Sequence, residues 1–205
     1  MVELTIVQRL ASDMDNYSYL VYCPETLEGA AIDPSMRPEL LLEEAARRGV
    51  TLNLLLNTHG HQDHIRGNQQ ILAATGARHA AHPADLPEAD IALEDGMELP
   101  LGQGVISVMH TPGHSPGSVV FVVGDASISG DTLCVSRCGR ADLPRSDVTQ
   151  LYQSLQRLAR LPPATRVYPG HNYGPRPNST IAWELAHNEF LKCPDLDSFI
   201  ALRMG

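Results

Sequence analysis

The sequence predicts a layered α/β fold. Three stretches near the amino terminus have the short apolar or alternating pattern of strands, and segments with helical spacing are interleaved with further short apolar runs. The same alternation begins again after residue 104. Strands interleaved with helices favour layers of sheet and helix over a helical bundle or a pure β-sandwich. The 205 residues contain no linker or low-complexity stretch, so we expect a single domain over residues 1–205.

The first half of the chain is predicted to contain five strands and two helices. Polar turns separate the three opening strands. The first helix has apolar residues at helical spacing and stops at Gly49, a residue suited to a helix C-terminus. The predicted strands are Leu4–Leu10, Ser18–Cys23, Gly29–Asp33, Leu52–Thr58 and Arg78–His82, and the predicted helices are Arg37–Arg48 and Ile65–Ala74.

The second half begins with residues 83–104, which are rich in Pro, Asp and Glu and are expected to form loop with short strands. A helix is predicted to start at Asp147, because Gln150 follows three residues later and the next apolar residues share one face. Pro162 and Pro163 end it. Strands are predicted at Val105–His110, Ser118–Val123, Ser127–Ser129 and Thr165–Tyr168, and a long final helix at Thr180–Leu191.

The composition argues against several classes of protein. With 24 acidic and 15 basic residues the formal charge is −9, so the chain is a poor candidate for nucleic-acid binding. The uncharged apolar runs fall far short of the roughly 20 residues that span a bilayer, and the amino terminus lacks the features of a signal peptide. The four cysteines are too scattered for a disulfide framework. We expect a cytoplasmic protein with neither nucleic-acid nor membrane partners.

The chain contains nine histidines, and three of them lie in the segment Asn57–His64, between a predicted strand and a predicted helix. His59, His61, Asp63 and His64 offer imidazole nitrogens and a carboxylate oxygen, which are donors that suit a borderline divalent cation. Open α/β sheets place ligands at the carboxyl ends of their strands. A lone histidine is most often a surface or core residue, but this spacing predicts a metal site.

Three further residues of metal-ligand type follow predicted strands. His114 lies in a turn rich in Pro and Gly, and Asp131 and His171 each come directly after a short strand. Each position is a weak indication alone, because such turns are common. The repeated placement of a donor straight after a strand indicates that the three residues join the same site.

Taken together, this composite motif resembles the metallo-β-lactamase fold family, from residue 17 to about residue 203. The resemblance implies a four-layer αββα sandwich. It also implies two divalent ions, zinc or iron or one of each, which would lower the pKa of a shared water. One ion would be held by His59, His61 and His114, and the other by Asp63, His64 and His171, with Asp131 between them. Asp63 and His64 would also be catalytic residues.

Two glutathione-related groups within that family are more similar than the others, namely glyoxalase II and the persulfide dioxygenases. The similarity lies in residues 130–133 and 137–140. It implies that Arg140 contacts a substrate carboxylate and that Tyr173 lines the same pocket. A guanidinium suits a carboxylate because it binds in a bidentate fork. Zinc β-lactamases usually have cysteine at the position of Asp131 and lack a counterpart of His64, so that function is not expected.

The resemblance therefore implies a metal-dependent hydrolase of the glyoxalase II type, which cleaves a thioester of glutathione or a similar thiol with a metal-bound hydroxide. The alternative is an iron-dependent glutathione persulfide dioxygenase, with a single Fe(II) at His59, His114 and Asp131. The segment from Ser179 to Leu202 is more similar to the dioxygenases, whereas Asn172 replaces an aspartate common among them. A non-catalytic relative that binds a metal or a partner is the third hypothesis. Oligomeric state stays open.

The remaining candidates have weaker signals. His79, His82 and His187 are interpreted as structural or surface residues, and His110, which precedes the turn carrying His114, as a candidate partner of a metal ligand. Asp33 follows a strand, where the resemblance implies an aspartate that orients a loop of ligands. The spacing of the cysteines predicts no chemistry.

Overall fold

The computed structural model describes residues 2–205, and its first half forms a six-stranded sheet. The first three strands pair antiparallel, and the third to the sixth pair parallel, in sequential order across the sheet. The six strands are β1 (Thr5–Leu10), β2 (Tyr17–Tyr22), β3 (Glu28–Ile32), β4 (Thr51–Leu56), β5 (Arg78–Ala81) and β6 (Ile91–Ala92).

A second six-stranded sheet is built from the rest of the chain. Its six strands are β7 (Glu98–Leu101), β8 (Gly104–His110), β9 (Val119–Val123), β10 (Ala126–Gly130), β13 (Arg166–Pro169) and β14 (Ser179–Thr180). Between β10 and β13 the chain forms a separate short hairpin of β11 (Leu133–Cys134) and β12 (Arg137–Cys138). The order across the sheet is β14-β13-β10-β9-β8-β7. In this sheet β10 and β13 run parallel, and the other neighbouring strands pair antiparallel.

Helices cover the outer face of each sheet. They are α1 (Glu39–Arg48), α2 (Gln62–Ile65), α3 (Asn68–Thr75), α4 (Val148–Leu158), α5 (Ile181–His187) and α6 (Leu196–Met204). Leu41 of α1 and Ile71 of α3 pack against the first sheet. Leu155 of α4 and Phe199 of α6 pack against the second. The four-layer αββα sandwich is thereby confirmed.

The main core lies between the two sheets. Tyr19 and Ile32 of the first sheet meet Ile106 and Phe121 of the second, and all four side chains are almost completely buried. Burial of this apolar surface holds the sheets face to face. Strand ends from both sheets consequently meet along one edge of the sandwich.

The carboxyl-terminal helical region differs from the prediction. The predicted helix Thr180–Leu191 is wrong in extent, because α5 ends at His187 and Asn188 has extended backbone angles, φ −87° and ψ 112°. The Asn188 side chain instead donates hydrogen bonds to the Arg137 carbonyl and to Glu184. Helix α6 and the β11–β12 hairpin were not predicted.

The predicted helix Ile65–Ala74 corresponds to α3, which begins three residues later, and the short helix α2 before it was not predicted. Helix α2 ends at Ile65 and α3 begins at Asn68, with Gly67 between them. A side chain at Gly67 would come within 2.8 Å of both Pro38 and the Ser35 carbonyl, so the chain passes too close to its neighbours to carry one there. The other predicted strands and helices are confirmed to within a few residues. Among residues 2–205, no helix has the length and apolar character needed to cross a bilayer.

Candidate metal centre

The seven predicted ligand residues converge at the edge where the two sheets meet. The segment Asn57–His61 leaves the carboxyl end of β4 and runs into α2, which begins directly after His61. His114 follows β8, Asp131 follows β10 and His171 follows β13. The site is therefore assembled from strand ends of both sheets, as the sequence pattern indicates.

A first group consists of His59, His61 and His114. One ring nitrogen of each lies within 4.8 Å of the others. The closest approach is 3.0 Å, between His61 Nδ1 and His114 Nε2. The rings stand edge to face, with centroids 4.6 to 5.0 Å apart. Three imidazole nitrogens facing one point form a donor set that suits zinc or iron.

A second group consists of Asp63, His64 and His171. His64 Nε2 lies 3.2 Å from His171 Nε2. Asp63 Oδ2 lies 3.5 Å from His64 Nε2 and 3.4 Å from His171 Nε2. Two nitrogens and a carboxylate oxygen at these separations form a second donor set for a divalent cation.

Asp131 lies between the two groups. Its Oδ2 is 3.5 Å from His114 Nε2 in the first group and 3.3 Å from His171 Nε2 in the second. Its Oδ1 is 3.5 Å from His64 Nε2. A single carboxylate therefore reaches ligand atoms of both donor sets.

Hydrogen bonds from the first sheet orient two of the imidazoles. Asp33 accepts hydrogen bonds from the Thr58 backbone N–H at 2.8 Å and from the Thr58 hydroxyl. That hydroxyl lies 3.1 Å from His59 Nδ1, and Asp33 Oδ2 lies 3.2 Å from His64 Nδ1. With Nδ1 held in this way, His59 and His64 both present Nε2 to the centre. Asp33 thus contacts the His64 imidazole directly and also contacts Thr58 in the loop that carries His59.

Backbone carbonyls orient two further imidazoles. His114 Nδ1 donates to the Arg140 carbonyl at 2.9 Å, and His171 Nδ1 donates to the Met14 carbonyl at 3.1 Å. These bonds turn Nε2 of each ring toward Asp131. Four of the five histidines therefore have one nitrogen fixed by the protein and the other directed inward.

Two polar atoms at the centre show that a cation fits the donor set. Among residues 2–205, His59 Nε2 and Asp131 Oδ1 are buried and have no hydrogen-bond partner. An unpaired polar atom in the interior is costly unless an ion or ligand satisfies it. Both atoms point into the space bounded by the two donor sets, so a divalent ion would satisfy them.

The electrostatics of the centre agree with this fit. Burial lowers the pKa of His59 well below its ordinary value, which leaves the ring neutral and able to donate its lone pair. Although burial opposes ionisation, the neighbouring His64 and His171 hold the pKa of Asp131 well below its usual range. Burial also opposes protonation of His171, yet Asp131 and Asp63 raise its pKa to about 10. The carboxylates thus attract positive charge, which a metal ion would supply.

Asn16 belongs to the second group and was not predicted. It is completely buried, and its Nδ2 donates to Asp63 Oδ2 at 2.8 Å. The same nitrogen lies 3.3 Å from His64 Nε2 and 3.4 Å from His171 Nε2. The Ser12 hydroxyl donates to its Oδ1 and fixes the amide. Its place directly before β2 is a weak signal in the sequence, because asparagines that form turns are common at such positions.

A cavity of about 330 Å³ opens beside the centre and contains both predicted substrate residues. Tyr173 is half exposed and stacks on His171, with ring centroids 4.4 Å apart. Arg140 is exposed and forms a bidentate ion pair with Asp142 at 2.8 and 2.9 Å. Two arginines that were not predicted, Arg137 and Arg203, line the same cavity. The wall next to the centre is therefore rich in guanidinium groups.

The cysteines of this cavity are not nucleophiles. Cys134 and Cys138 line it, but burial raises the pKa of Cys134 well above its ordinary value and that of Cys138 to about 12. Both thiols stay protonated at neutral pH, and only the thiolate is reactive. This agrees with the absence of any cysteine chemistry in the sequence prediction.

The other histidines lie away from the two groups. His79 is buried, with Nε2 2.7 Å from Asn57 Oδ1, and His187 stacks on Trp183 at the surface. His82 stacks on His110 with centroids 4.1 Å apart. His110 Nε2 also lies 2.9 Å from the carbonyl of Pro116, a residue of the turn that carries His114.

Comparison with known proteins agrees with this geometry. The family model of the metallo-beta-lactamase superfamily matches residues 17–171, which contain all seven predicted ligand residues. The chain belongs to the metallo-β-lactamase superfamily.

Within the superfamily, it is 38% identical over 197 residues to a hydroxyacylglutathione hydrolase of Rhodospirillum rubrum, covering 93% of this chain and 75% of that protein. It is 40% identical over 164 residues to one of Methylococcus capsulatus, covering 78% and 63%. The chain thus spans less than two thirds of the second relative.

Solved structures of the superfamily superpose over almost the whole chain. ETHE1 from Myxococcus xanthus has a TM-score of 0.93 at 32% identity, covering 98% of this chain and 90% of that one. TTHA1623, solved in a di-iron-bound form, has a TM-score of 0.80 at 34% identity, covering 90% and 100%.

Proposed function

We propose that this chain is a metal-dependent hydrolase of the glyoxalase II type, which cleaves a thioester of glutathione or of a similar thiol. The observation that carries the proposal is the pairing of two three-donor groups through one carboxylate, Asp131. Two relatives named hydroxyacylglutathione hydrolase, of which the chain covers 75% and 63%, support the substrate class. The four cysteines are all free, which suits a reducing compartment, and we place the protein in the cytoplasm.

The residues at the centre fit two divalent ions, zinc or iron or one of each. His59, His61 and His114 would hold one ion, and Asp63, His64 and His171 the other, with Asp131 contacting both. When bound, the ions would supply a water of lowered pKa as nucleophile and polarise the thioester carbonyl. Asp63 and His64 are catalytic residues in this proposal because, as members of the second donor set, they would hold an ion beside that carbonyl.

The side chains of the cavity would bind and orient the thiol carrier. Arg140 can exchange its ion pair with Asp142 for a substrate carboxylate, since both interactions use the same bidentate fork. Tyr173 would pack against the carrier from its position on His171. Arg137 and Arg203 add positive charge to the same wall and would attract an anionic substrate. The cavity thiols are protonated and would supply no nucleophile.

A second candidate function is an iron-dependent glutathione persulfide dioxygenase. The chain superposes on ETHE1, a persulfide dioxygenase, over 98% of its length, and this similarity supports the second candidate. A single Fe(II) would then use His59, His114 and Asp131, a set of two histidines and one carboxylate that leaves positions free for substrate and oxygen.

Metal analysis and two assays distinguish these candidates. The hydrolase predicts two metals per chain and thiol release from S-lactoylglutathione. About one iron per chain with oxygen uptake on glutathione persulfide would refute it in favour of the dioxygenase. A chain that binds no metal and keeps its full stability would support only a non-catalytic role.

A substitution at His61 separates the candidates further. His61→Ala removes a donor that the two-ion hydrolase needs but the one-iron site does not use, so it should abolish hydrolysis and leave substantial dioxygenase activity. His187→Ala, at an exposed histidine stacked on Trp183, is the matched control and should leave either activity unchanged.

A further inference from the structure

The loop between β5 and β6 sends one carboxylate, Asp85, to the rim of the metal centre. Asp85 Oδ1 accepts a hydrogen bond from the Gly117 backbone N–H at 3.0 Å. Asp85 Oδ2 accepts one from the Gly60 backbone N–H at 3.0 Å and one from the Ser115 hydroxyl at 2.6 Å. The carboxylate therefore joins two separate loops through three donors.

Those two loops carry all three histidines of the first group. Gly60 lies between His59 and His61, and Ser115 directly follows His114. One loop leaves the first sheet and the other leaves the second, so the hydrogen bonds of Asp85 cross from sheet to sheet. Hydrogen bonds of N–H groups to an ionised carboxylate are roughly twice as strong as neutral ones. The spacing of the loops, and with it the spacing of the histidines, depends on this carboxylate.

The packing at the two glycines supports this arrangement. A Cβ at Gly60 would lie 3.0 Å from Asp85 Cβ, and one at Gly117 would lie 2.6 Å from Asp85 Cγ. Neither glycine has a positive φ, so neither is needed for an unusual backbone conformation. The close approach of Asp85 instead limits position 117 to glycine and leaves little room for a side chain at position 60.

We propose that Asp85 is a positioning residue for the His59–His61–His114 group and strengthens metal binding in that half of the centre only. The proposal rests on the metal-dependent function proposed above. The second group has its own hydrogen-bond partners, which include Asp33 and Asn16 and do not include Asp85. Removal of the carboxylate should therefore affect the two halves unequally.

The test is a metal titration of the full chain, stripped of metal and then loaded with Zn²⁺ against a competing chelator. Asp85→Asn keeps the shape of the side chain but replaces one acceptor oxygen with a donor. We expect it to weaken one of the two zinc sites by 10- to 100-fold, as is typical when a partner of a metal ligand is removed. The weakened site should be the one that His61→Ala removes, and the site removed by His171→Ala should keep its affinity.

Two more variants keep the result interpretable. Asp90→Asn is the matched control, because Asp90 lies in the same loop and accepts a single backbone hydrogen bond, from His79. It should change neither affinity. Ser115→Ala removes one donor to Asp85 and should weaken the same site by a smaller factor, which gives an answer even if Asp85→Asn does not fold.

The outcomes separate this inference from the proposed function. If the wild type binds two zinc ions and Asp85→Asn and Ser115→Ala bind them equally well, the inference is wrong and the metal centre stands. Equal weakening of both sites would also overturn it, since Asp85 would then act only on general stability. A wild type that binds no divalent ion would refute the metal-dependent function and this inference together.

Discussion

Arg203, near the end of the chain, donates a hydrogen bond of 2.8 Å from Nε to the backbone carbonyl of Gly139. The next carbonyl along the chain, that of Arg140, accepts the hydrogen bond from His114 Nδ1. A side chain at Gly139 would lie 2.8 Å from the same nitrogen. Helix α6 therefore supports a ligand of the candidate centre through one short backbone segment.

Arg203→Ala should reduce kcat/KM for an anionic thioester by about tenfold. The reason is the loss of a hydrogen bond from a charged donor, worth about 1.5 kcal/mol or more, and a tenfold change corresponds to about 1.4 kcal/mol. Steady-state kinetics with S-lactoylglutathione measures the effect. Arg160→Ala removes an exposed arginine beyond α4 and serves as the control. Equal kinetics for the two variants would contradict the role of α6.

Asp33→Asn should lower the metal content of the purified protein. Asp33 contacts the His64 ring directly and the His59 ring through Thr58, so its charge orients a donor in each group. Loss of such a partner commonly costs 10- to 100-fold in metal affinity. Elemental analysis after dialysis against a weak chelator checks this. The control is Asp125→Asn, at an exposed residue paired with Arg166, and full occupancy in both variants would refute the prediction.

Asn16→Ala should weaken the second ion more than the first. Asn16 holds Asp63 at 2.8 Å, and the substitution leaves that carboxylate without its donor. We expect about a tenfold loss of affinity. In a Co²⁺ titration followed by absorption, one of two binding phases should move to about tenfold higher Co²⁺ concentration. Asn53→Ala, at an exposed position of β4, should preserve both phases. A variant at Asn16 that also preserves both would show that Asp63 needs no such support.

Glu44→Gln should destabilise the protein at pH 7, and the difference from wild type should shrink in acid. Burial opposes ionisation of Glu44, but hydrogen bonds from Arg9, Arg48 and Arg47 outweigh it and lower the pKa to about 2, from an ordinary value of 4.5. A folded-state pKa below the unfolded value adds stability above pH 4.5, which is lost as the pH falls toward about 2.

Urea unfolding of the metal-stripped protein between pH 7 and pH 3 measures this effect. The free energy of unfolding of Glu44→Gln should approach the wild-type value as the pH falls. Glu43→Gln, at the exposed neighbour, should differ little from wild type at any pH. A difference for Glu44→Gln that is constant with pH would show that the lost contribution is not ionic.

The site was predictable because its donors follow strands. In open α/β sheets, loops at the carboxyl ends of strands are neighbours in space, so His114, Asp131 and His171 could be assigned to one place from local patterns. Asn16 and Asp85 could not, since each acts by a tertiary hydrogen bond that has no local pattern. Their residue types are common in ordinary turns.

The wrong extent of the predicted helix Thr180–Leu191 has a similar cause. Asn188 ends α5 because its side chain bonds to the distant Arg137 carbonyl, and helical periodicity does not contain that contact. The start of helix α6, in contrast, has a local signal in the sequence. Pro194 and Asp195 precede it, and Asp195 caps it by accepting from the Ser198 N–H at 2.8 Å.

Each donor group takes ligands from both sheets, the first through His61 and His114 and the second through Asp63 and His171. An ion held there would cross-link the two halves of the chain, joining residues more than fifty positions apart in sequence. Free ion at 100 times its Kd would add about 2.7 kcal/mol to the free energy of unfolding. The cellular supply of the metal would therefore govern how long the folded chain survives, as well as how fast it works.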